Sequence, residues 1–148
     1  MKYFVLENLP FFQNYNIVTT NTTGSTLEPF GLTVKTKVRS GPLGGDQEIG
    51  ALIAQGQVGL VFFFKDPLSI QSHNSDIEAF CRLCDVHDVA IATNPITAAV
   101  LVAALSQNES LEREVFNRYL TDSERVNKYT EEQQKIKKVS INAHVYSV

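Results

Sequence analysis

Residues 58–64 constrain the fold more than any other segment, because the run VGLVFFF is almost entirely apolar. A strand with one face in water alternates apolar and polar side chains, whereas a strand covered on both faces is apolar throughout. A parallel sheet with helices on both faces provides that double cover. We therefore predict that residues 58–64 form a central strand of an α/β sheet.

Further strand and helix patterns alternate on either side of this segment. Strands are predicted where β-branched and aromatic residues concentrate, at 15–20, 32–38 and 89–93. Apolar residues recur at helical spacing over 47–55 and 77–84, and Asn94 precedes a proline as the cap of a third helix. This alternation predicts a single three-layer α/β domain, with a mostly parallel twisted sheet and helices on both faces.

The C-terminal part of the chain has a different pattern. Residues 110–138 are mostly polar and helix-forming, and residues 139–145 then alternate as a strand does. We predict a principal domain over 1–125 and a helical linker over 126–138. A C-terminal strand over 139–148 is predicted to complete the same domain.

Size and charge narrow the classes of function. A chain of 148 residues with 43% hydrophobic and 20% charged residues is typical of one globular domain. The net charge of −3 provides no basic surface for nucleic acid or an anionic membrane, and no apolar run is long enough to span a bilayer. We therefore expect a soluble cytoplasmic protein without nucleic-acid or membrane partners, in which a local site binds any anionic ligand.

Cys81 and Cys84 form a Cys-x-x-Cys pair in a predicted helix. Such a pair can be redox-active or can provide half of a metal site. Since no second pair accompanies it, we interpret both cysteines as small buried hydrophobic residues and predict no metal site. Unpaired cysteines also suit a reducing cytoplasm.

Residues 20–24 follow the first predicted strand, at the edge of a parallel sheet where ligands bind. The hydroxyls of Thr20, Thr22 and Thr23, with backbone N–H groups at a helix start, suit a phosphate group. A turn capped by threonine side chains is the other interpretation that this composition allows.

Residues 40–47, SGPLGGDQ, follow the second predicted strand. Three glycines within five residues allow the backbone to approach a ligand closely. They place Asp46 at the start of a helix, where it is either a functional carboxylate or a simple N-cap.

A third loop, KDPL at 65–68, follows the central strand and leads to His73 and Asp76. A histidine and a carboxylate three residues apart can act as an acid–base pair. Alternatively, Asp76 is a first-turn residue favoured by the helix dipole, and His73 is a surface residue. We predict that all three loops converge on one edge of the sheet.

These loops resemble those of the methylglyoxal synthase family. The segments SGPLGGDQEIGALIA at 40–54, FFKDPL at 63–68, His73 and ATN at 92–94 follow the family pattern in order and spacing. The resemblance runs over about residues 4–105, and its glycine-rich motif is far more specific than an isolated glycine loop. It implies a methylglyoxal synthase-like fold of the Rossmann and flavodoxin type.

The resemblance also implies a reaction. The family converts dihydroxyacetone phosphate to methylglyoxal and inorganic phosphate through an enediolate, as a bypass of glycolysis, without a metal or organic cofactor and as a homohexamer. By resemblance Asp46 is the general base, His73 polarises the carbonyl, and Asp76 assists. The residues that resemble the substrate and phosphate contacts are Thr20, Thr22, Thr23, Ser40 and Gly41.

The chain departs from the family pattern near the phosphate. Asn21 stands at the first glycine of the family's TGTTG, and the family's first strand, Ala-His-Asp and following lysine would precede Met1. Residues 138–144 look like that strand and place His144 at the family's histidine position. We therefore hypothesise a circular permutation.

In that permutation a valine, Val148, takes the place of the lysine, so we expect weaker phosphate binding because a charge-assisted contact is lost. Lys2, Arg118 and Arg125 are the candidate replacements for its charge.

Two other functions stay open at this point. One is a binding module, since related domains attached to carbamoyl phosphate synthetase bind small effectors without catalysis. The other is a weakened or inactive lyase. Retention of Asp46, His73 and Asp76 together favours the enzyme, because a binding module needs no base.

Overall fold

The computed structural model describes residues 1–69, 74–118 and 124–142. Two predicted site residues, His73 and His144, lie outside these ranges. Their proposed roles therefore stay predictions.

Four short strands form inside the four predicted segments, and they pair in parallel. They are β1 (Val18–Thr20), β2 (Thr36–Val38), β3 (Leu60–Phe62) and β4 (Ala90–Ala92). β1 pairs with β2, and β3 pairs with β4. The parallel α/β class is confirmed, although the described ladders form two pairs instead of one continuous ladder.

Helices follow the strands as the alternation predicts. In the described residues they are α1 (Lys2–Glu7), α2 (Leu9–Phe12), α3 (Asn21–Leu27), α4 (Gly45–Ala54), α5 (Asn74–Val86), α6 (Pro95–Gln107), α7 (Glu109–Arg118) and α8 (Glu124–Asn142). Asn94 caps α6 as predicted, since its Oδ1 accepts the N–H of Thr97 at 2.9 Å. In this described part of the chain no helix has the length and apolar character needed to cross a membrane.

Both faces of β3 pack against apolar side chains, which explains its apolar sequence. Leu60, Phe62 and Phe64 pack into a core with α1, α2 and α6. Val61 and Phe63 point to the opposite side and pack with α4 and α5. Because successive side chains of a strand point to opposite faces, both sets must be apolar. The prediction that helices cover this strand on both faces is confirmed, whereas its central position in the sheet stays a prediction, since in the described ladders β3 pairs with β4 alone.

The prediction of a C-terminal strand over 139–148 is wrong for residues 139–142, the part of it that the structure describes. α8 continues through Asn142 and includes residues 139–142. The sequence from 124 to 142 contains no glycine or proline, and each added helical residue costs little once a helix has begun. Residues 143–148 lie outside the described ranges. The circular permutation and the domain limits at 125 and 138 stay predictions.

Candidate active site

The threonine loop forms the junction between β1 and α3. Thr20 ends the strand and occupies the N-cap position, but its side chain does not cap the helix. Its Oγ1 instead donates a hydrogen bond to Thr23 Oγ1 at 3.1 Å. The interpretation of this loop as a turn capped by threonine side chains is therefore wrong for Thr20. Asn21 is the first residue of α3, so it does not need the left-handed conformation that a glycine would allow.

The glycine loop brings the backbone of residues 40–46 into a tight bend. A 3-10 turn over Gly41–Leu43 is followed by Gly44, whose φ of 96° is the left-handed conformation that favours glycine. A Cβ on Gly45 would lie 1.9 Å from the carbonyl oxygen of Arg39. Glycine is therefore required at two successive positions immediately before Asp46.

Asp46 is buried in the first turn of α4, with 6% of its surface exposed. Gly44 occupies the N-cap position, so the interpretation of Asp46 as the N-cap is wrong. The carboxylate faces Gly41, because a Cβ on that glycine would lie 2.9 Å from Oδ2 and 3.0 Å from Oδ1. A buried carboxylate is costly, and the helix dipole offsets part of that cost at this end of α4.

A hydrogen bond between hydroxyls joins the two loops. Thr22 Oγ1 lies 3.0 Å from Ser40 Oγ, and Ser40 precedes the glycine that faces Asp46. The threonine hydroxyls and the Asp46 carboxylate thus lie on one edge of the β1–β2 pair, where both strands end. This juxtaposition is the one that the sequence predicted for these two loops.

Sequence reasoning missed the Thr22–Ser40 contact, although a signal for it exists. Thr20 pairs with Val38 in the parallel ladder. Because these strands are parallel, both loops leave the pair at the same edge, which was the available signal. The particular contact between Thr22 and Ser40 depends in addition on the helical turn that begins at Asn21.

The third loop is described only in part. Asp66 accepts the hydroxyl of Ser69 and the N–H of Leu68, and these hydrogen bonds hold the pKa of its exposed carboxyl below the usual value. Asp66 therefore closes a turn. Asp76 lies half-buried in the first turn of α5. Since His73 lies outside the described residues, a catalytic pairing of His73 with Asp76 stays a prediction.

The two cysteines differ in their surroundings. Cys84 is fully buried in the core between α4 and α5, and burial raises the pKa of its thiol to about 12. Cys81 is half-buried, and both thiols are free. The interpretation as a buried hydrophobic residue is confirmed for Cys84 and is wrong for Cys81. Within the described ranges, no group of three or more His, Cys, Asp or Glu residues could hold a metal ion.

This difference predicts selective alkylation of the native chain. Iodoacetamide at mildly alkaline pH should modify Cys81 and leave Cys84 unmodified, because the thiolate is the reacting form and Cys84 is both buried and protonated. Peptide mass spectrometry should find one adduct on the native chain and two after unfolding in guanidinium. Cys81→Ala should remove the native adduct. Equal labelling rates at the two positions would contradict this description of the core.

Comparison with known proteins places these loops in a family. The family model described as "MGS-like domain" matches residues 8–93. The methylglyoxal synthase of Carboxydothermus hydrogenoformans is 49% identical over 104 residues, which is 70% of this chain and 85% of that protein. The chain belongs to the methylglyoxal synthase family. The methylglyoxal synthase of Borreliella afzelii is 45% identical over 102 residues, covering 69% of this chain and 80% of that one.

A solved structure of the methylglyoxal synthase family supports the same assignment. The crystal structure of methylglyoxal synthase from Elizabethkingia anophelis NUHP1 resembles this chain with a TM-score of 0.64 and 40% sequence identity. The match covers 68% of this chain and 66% of that one. The family and the fold class predicted from the motifs are confirmed, and the region matched by the family model contains both the threonine loop and the glycine loop.

Proposed function

We propose that this chain is a lyase that converts dihydroxyacetone phosphate to methylglyoxal and inorganic phosphate. The observation that carries the proposal is the hydrogen bond between Thr22 and Ser40, which joins a group of hydroxyls to the loop that holds the buried Asp46 carboxylate. This arrangement suits a small substrate with a phosphate at one end and a removable proton near the other. Membership of the methylglyoxal synthase family supports the same substrate.

The first requirement of the reaction is to hold the phosphate. The hydroxyls of Thr20, Thr22, Thr23 and Ser40 lie together and can donate hydrogen bonds to its oxygens. Thr22 is exposed and the other three are half-buried, so the group is accessible from solvent. Holding the phosphate here fixes the position of the carbon chain relative to Asp46, and such positioning lowers the barrier to reaction.

The second requirement is to remove a proton from the hydroxyl-bearing carbon. We assign this step to Asp46, which takes the proton while the electron pair moves to the carbonyl and forms an enediolate. Hydrogen-bond donors fixed in advance stabilise the developing negative charge. We assign this role to the backbone N–H of Gly41 and to His73, with Asp76 assisting His73.

The last step breaks the bond between carbon and the phosphate oxygen. The electrons of the enediolate expel phosphate, which leaves with the bonding pair, and the remaining enol rearranges to methylglyoxal. The residues that bind the substrate phosphate therefore also bind the leaving group. In that rearrangement the carbon that carried the phosphate takes up a proton and becomes a methyl group, while the hydroxyl-bearing carbon becomes the aldehyde. The oxidation of one carbon balances the reduction of the other, so the reaction needs no external oxidant or reductant.

The remaining features of the proposal come from the family. We propose that the chain acts as a homohexamer in the cytoplasm, and that His144 contributes to the substrate pocket. The alternative is a non-catalytic or weakened domain that binds a phosphorylated effector. The relatives described above are all named methylglyoxal synthases, which favours the active lyase.

A turnover assay tests this proposal. Purified protein is incubated with dihydroxyacetone phosphate, and methylglyoxal and inorganic phosphate are measured separately over time. We expect equal amounts of both products, at a rate proportional to protein concentration and above that of a heat-unfolded control. Phosphate binding without turnover would support the effector-binding module instead. Neither binding nor turnover would support an inactive relative.

A further inference from the structure

A cleft of about 160 Å³ opens beside the threonine loop, between the start of α1 and α3. Its lining residues are Met1, Lys2, Thr22, Thr23, Thr26 and Leu27. Thr22 and Thr23 also belong to the proposed phosphate site, so the cleft is continuous with that site. Among these described lining residues, Lys2 has the one charged side chain.

The ammonium group of Lys2 rests on an aromatic ring. Its Nζ lies 3.8 Å from the centroid of the Phe30 ring. Among the residues whose side chains the structure describes, Lys2 has no carboxylate partner. The face of an aromatic ring holds an ammonium less strongly than a phosphate oxygen does, and the long lysine stem allows the group to move.

Two described cations near the loops are already paired. Lys37 forms an ion pair of 2.8 Å with Glu28, and Arg39 forms a longer pair of 3.8 Å with Glu48. The threonine and serine hydroxyls that form the rest of the site are neutral. Among the side chains that the structure describes around this cleft, Lys2 is therefore a cation without a carboxylate partner, and in a chain of net charge −3 it can offset part of the charge of a phosphate dianion.

We propose that Lys2 is a phosphate-binding residue, which moves from the Phe30 ring to the anion held by Thr22 and Thr23. The identity of the substrate in this inference rests on the proposed function. The binding of an anion by Lys2 is inferred from the residues that line the cleft. Lys2 makes its contact with the phosphate in both the substrate and the transition state. Because this phosphate is also the leaving group and gains negative charge as its bond to carbon breaks, Lys2 contributes to binding and to the elimination step.

Lys2→Gln tests the inference, with Lys35→Gln as a matched control. Lys35 is exposed and precedes β2, at the end of the strand opposite to the site. Calorimetric titration of the full chain with inorganic phosphate should show about tenfold weaker binding for Lys2→Gln, since a hydrogen bond to a charged group is lost. The ratio kcat/KM for dihydroxyacetone phosphate should fall by at least a similar factor. Lys2→Arg should restore most of the affinity, and Lys35→Gln should behave as wild type.

The outcomes separate this inference from the proposed function. One outcome is that the wild type turns over substrate while Lys2→Gln keeps its phosphate affinity and its kinetic constants. This result would overturn the role of Lys2 and leave the proposed lyase function supported. If Lys2→Gln loses phosphate affinity but no form of the chain turns over substrate, the role of Lys2 in phosphate binding is supported and the proposed lyase function is wrong. Thermal unfolding of each variant, monitored by circular dichroism, is expected to match wild type. Loss of affinity together with a lowered unfolding temperature, without rescue by Lys2→Arg, would overturn the inference in favour of a structural role.

Discussion

Replacing Asp46 with asparagine is expected to lower kcat for dihydroxyacetone phosphate by about a thousandfold, because general-base catalysis contributes on the order of 10²–10⁴ in rate. Asparagine has nearly the same shape as aspartate and can keep contacts with the Gly41 side of the pocket, but it cannot accept the proton. The phosphate contacts are unchanged, so KM should change little. Initial rates of phosphate release at saturating substrate measure the effect.

Glu48→Gln is the matched control for this substitution. Glu48 lies in the same helix, is exposed, and undergoes the same change from carboxylate to amide. Its distant ion pair with Arg39 contributes little to stability, so its activity should equal that of wild type. An Asp46→Asn rate within about tenfold of wild type would exclude Asp46 as the base, because that loss is smaller than a base provides.

Replacing Gly45 with alanine is expected to lower the free energy of unfolding by about 3 kcal/mol, the upper end of what overpacking commonly costs. The added Cβ would lie 1.9 Å from the carbonyl oxygen of Arg39 and 3.1 Å from the carbonyl carbon of Ser40. Both are backbone atoms, which cannot move aside as the end of a side chain can. The start of α4 must shift, and Asp46 shifts with it. Urea denaturation measures the loss of stability, and phosphate release measures the accompanying loss of activity.

Gly50→Ala makes the same change in the middle of the same helix and serves as its control. Its Cβ would meet Leu83 Cδ2 at 3.1 Å, and that methyl group is at the end of a flexible side chain. Alanine is also favoured over glycine inside a helix by about 1 kcal/mol. We expect Gly50→Ala to remain within about 1 kcal/mol of wild type, since the two effects oppose each other. Equal unfolding midpoints for Gly45→Ala and Gly50→Ala would contradict the backbone contact at residue 45.

The parts of the fold that the sequence predicted are those with strong local patterns. The apolar run at 58–64 required cover on both faces, and this is confirmed because Val61 and Phe62 pack into different apolar clusters. The prediction of a strand at the start of the C-terminal segment was wrong because alternation of apolar and polar residues over a few positions is a weak signal. There, continuation of a helix that contains no breaker outweighs the strand pattern.

The candidate site was predicted in its residues but not in its geometry. The sequence placed Asp46 at a helix start and left open whether it was a cap. That question depended on Gly44, whose left-handed conformation makes it the N-cap and moves Asp46 into the first turn. The contact between Thr22 and Ser40 depended on the parallel pairing of β1 with β2 and on the start of α3 at Asn21, which together bring residues far apart in the chain into contact. Lys2 was one of three candidate cations in the sequence, and its place beside the threonine loop became known only with the cleft beside α3.

The most direct test of the central claim is a crystal structure of the full chain grown with inorganic phosphate. We expect the phosphate to bind among the hydroxyls of Thr20, Thr22, Thr23 and Ser40. A three-carbon substrate should then span the distance between this phosphate and the Asp46 carboxylate. Phosphate found at that position, with Asp46 still facing Gly41, is the predicted result. Phosphate bound away from these hydroxyls, or an Asp46 side chain turned out of the pocket, would contradict the account.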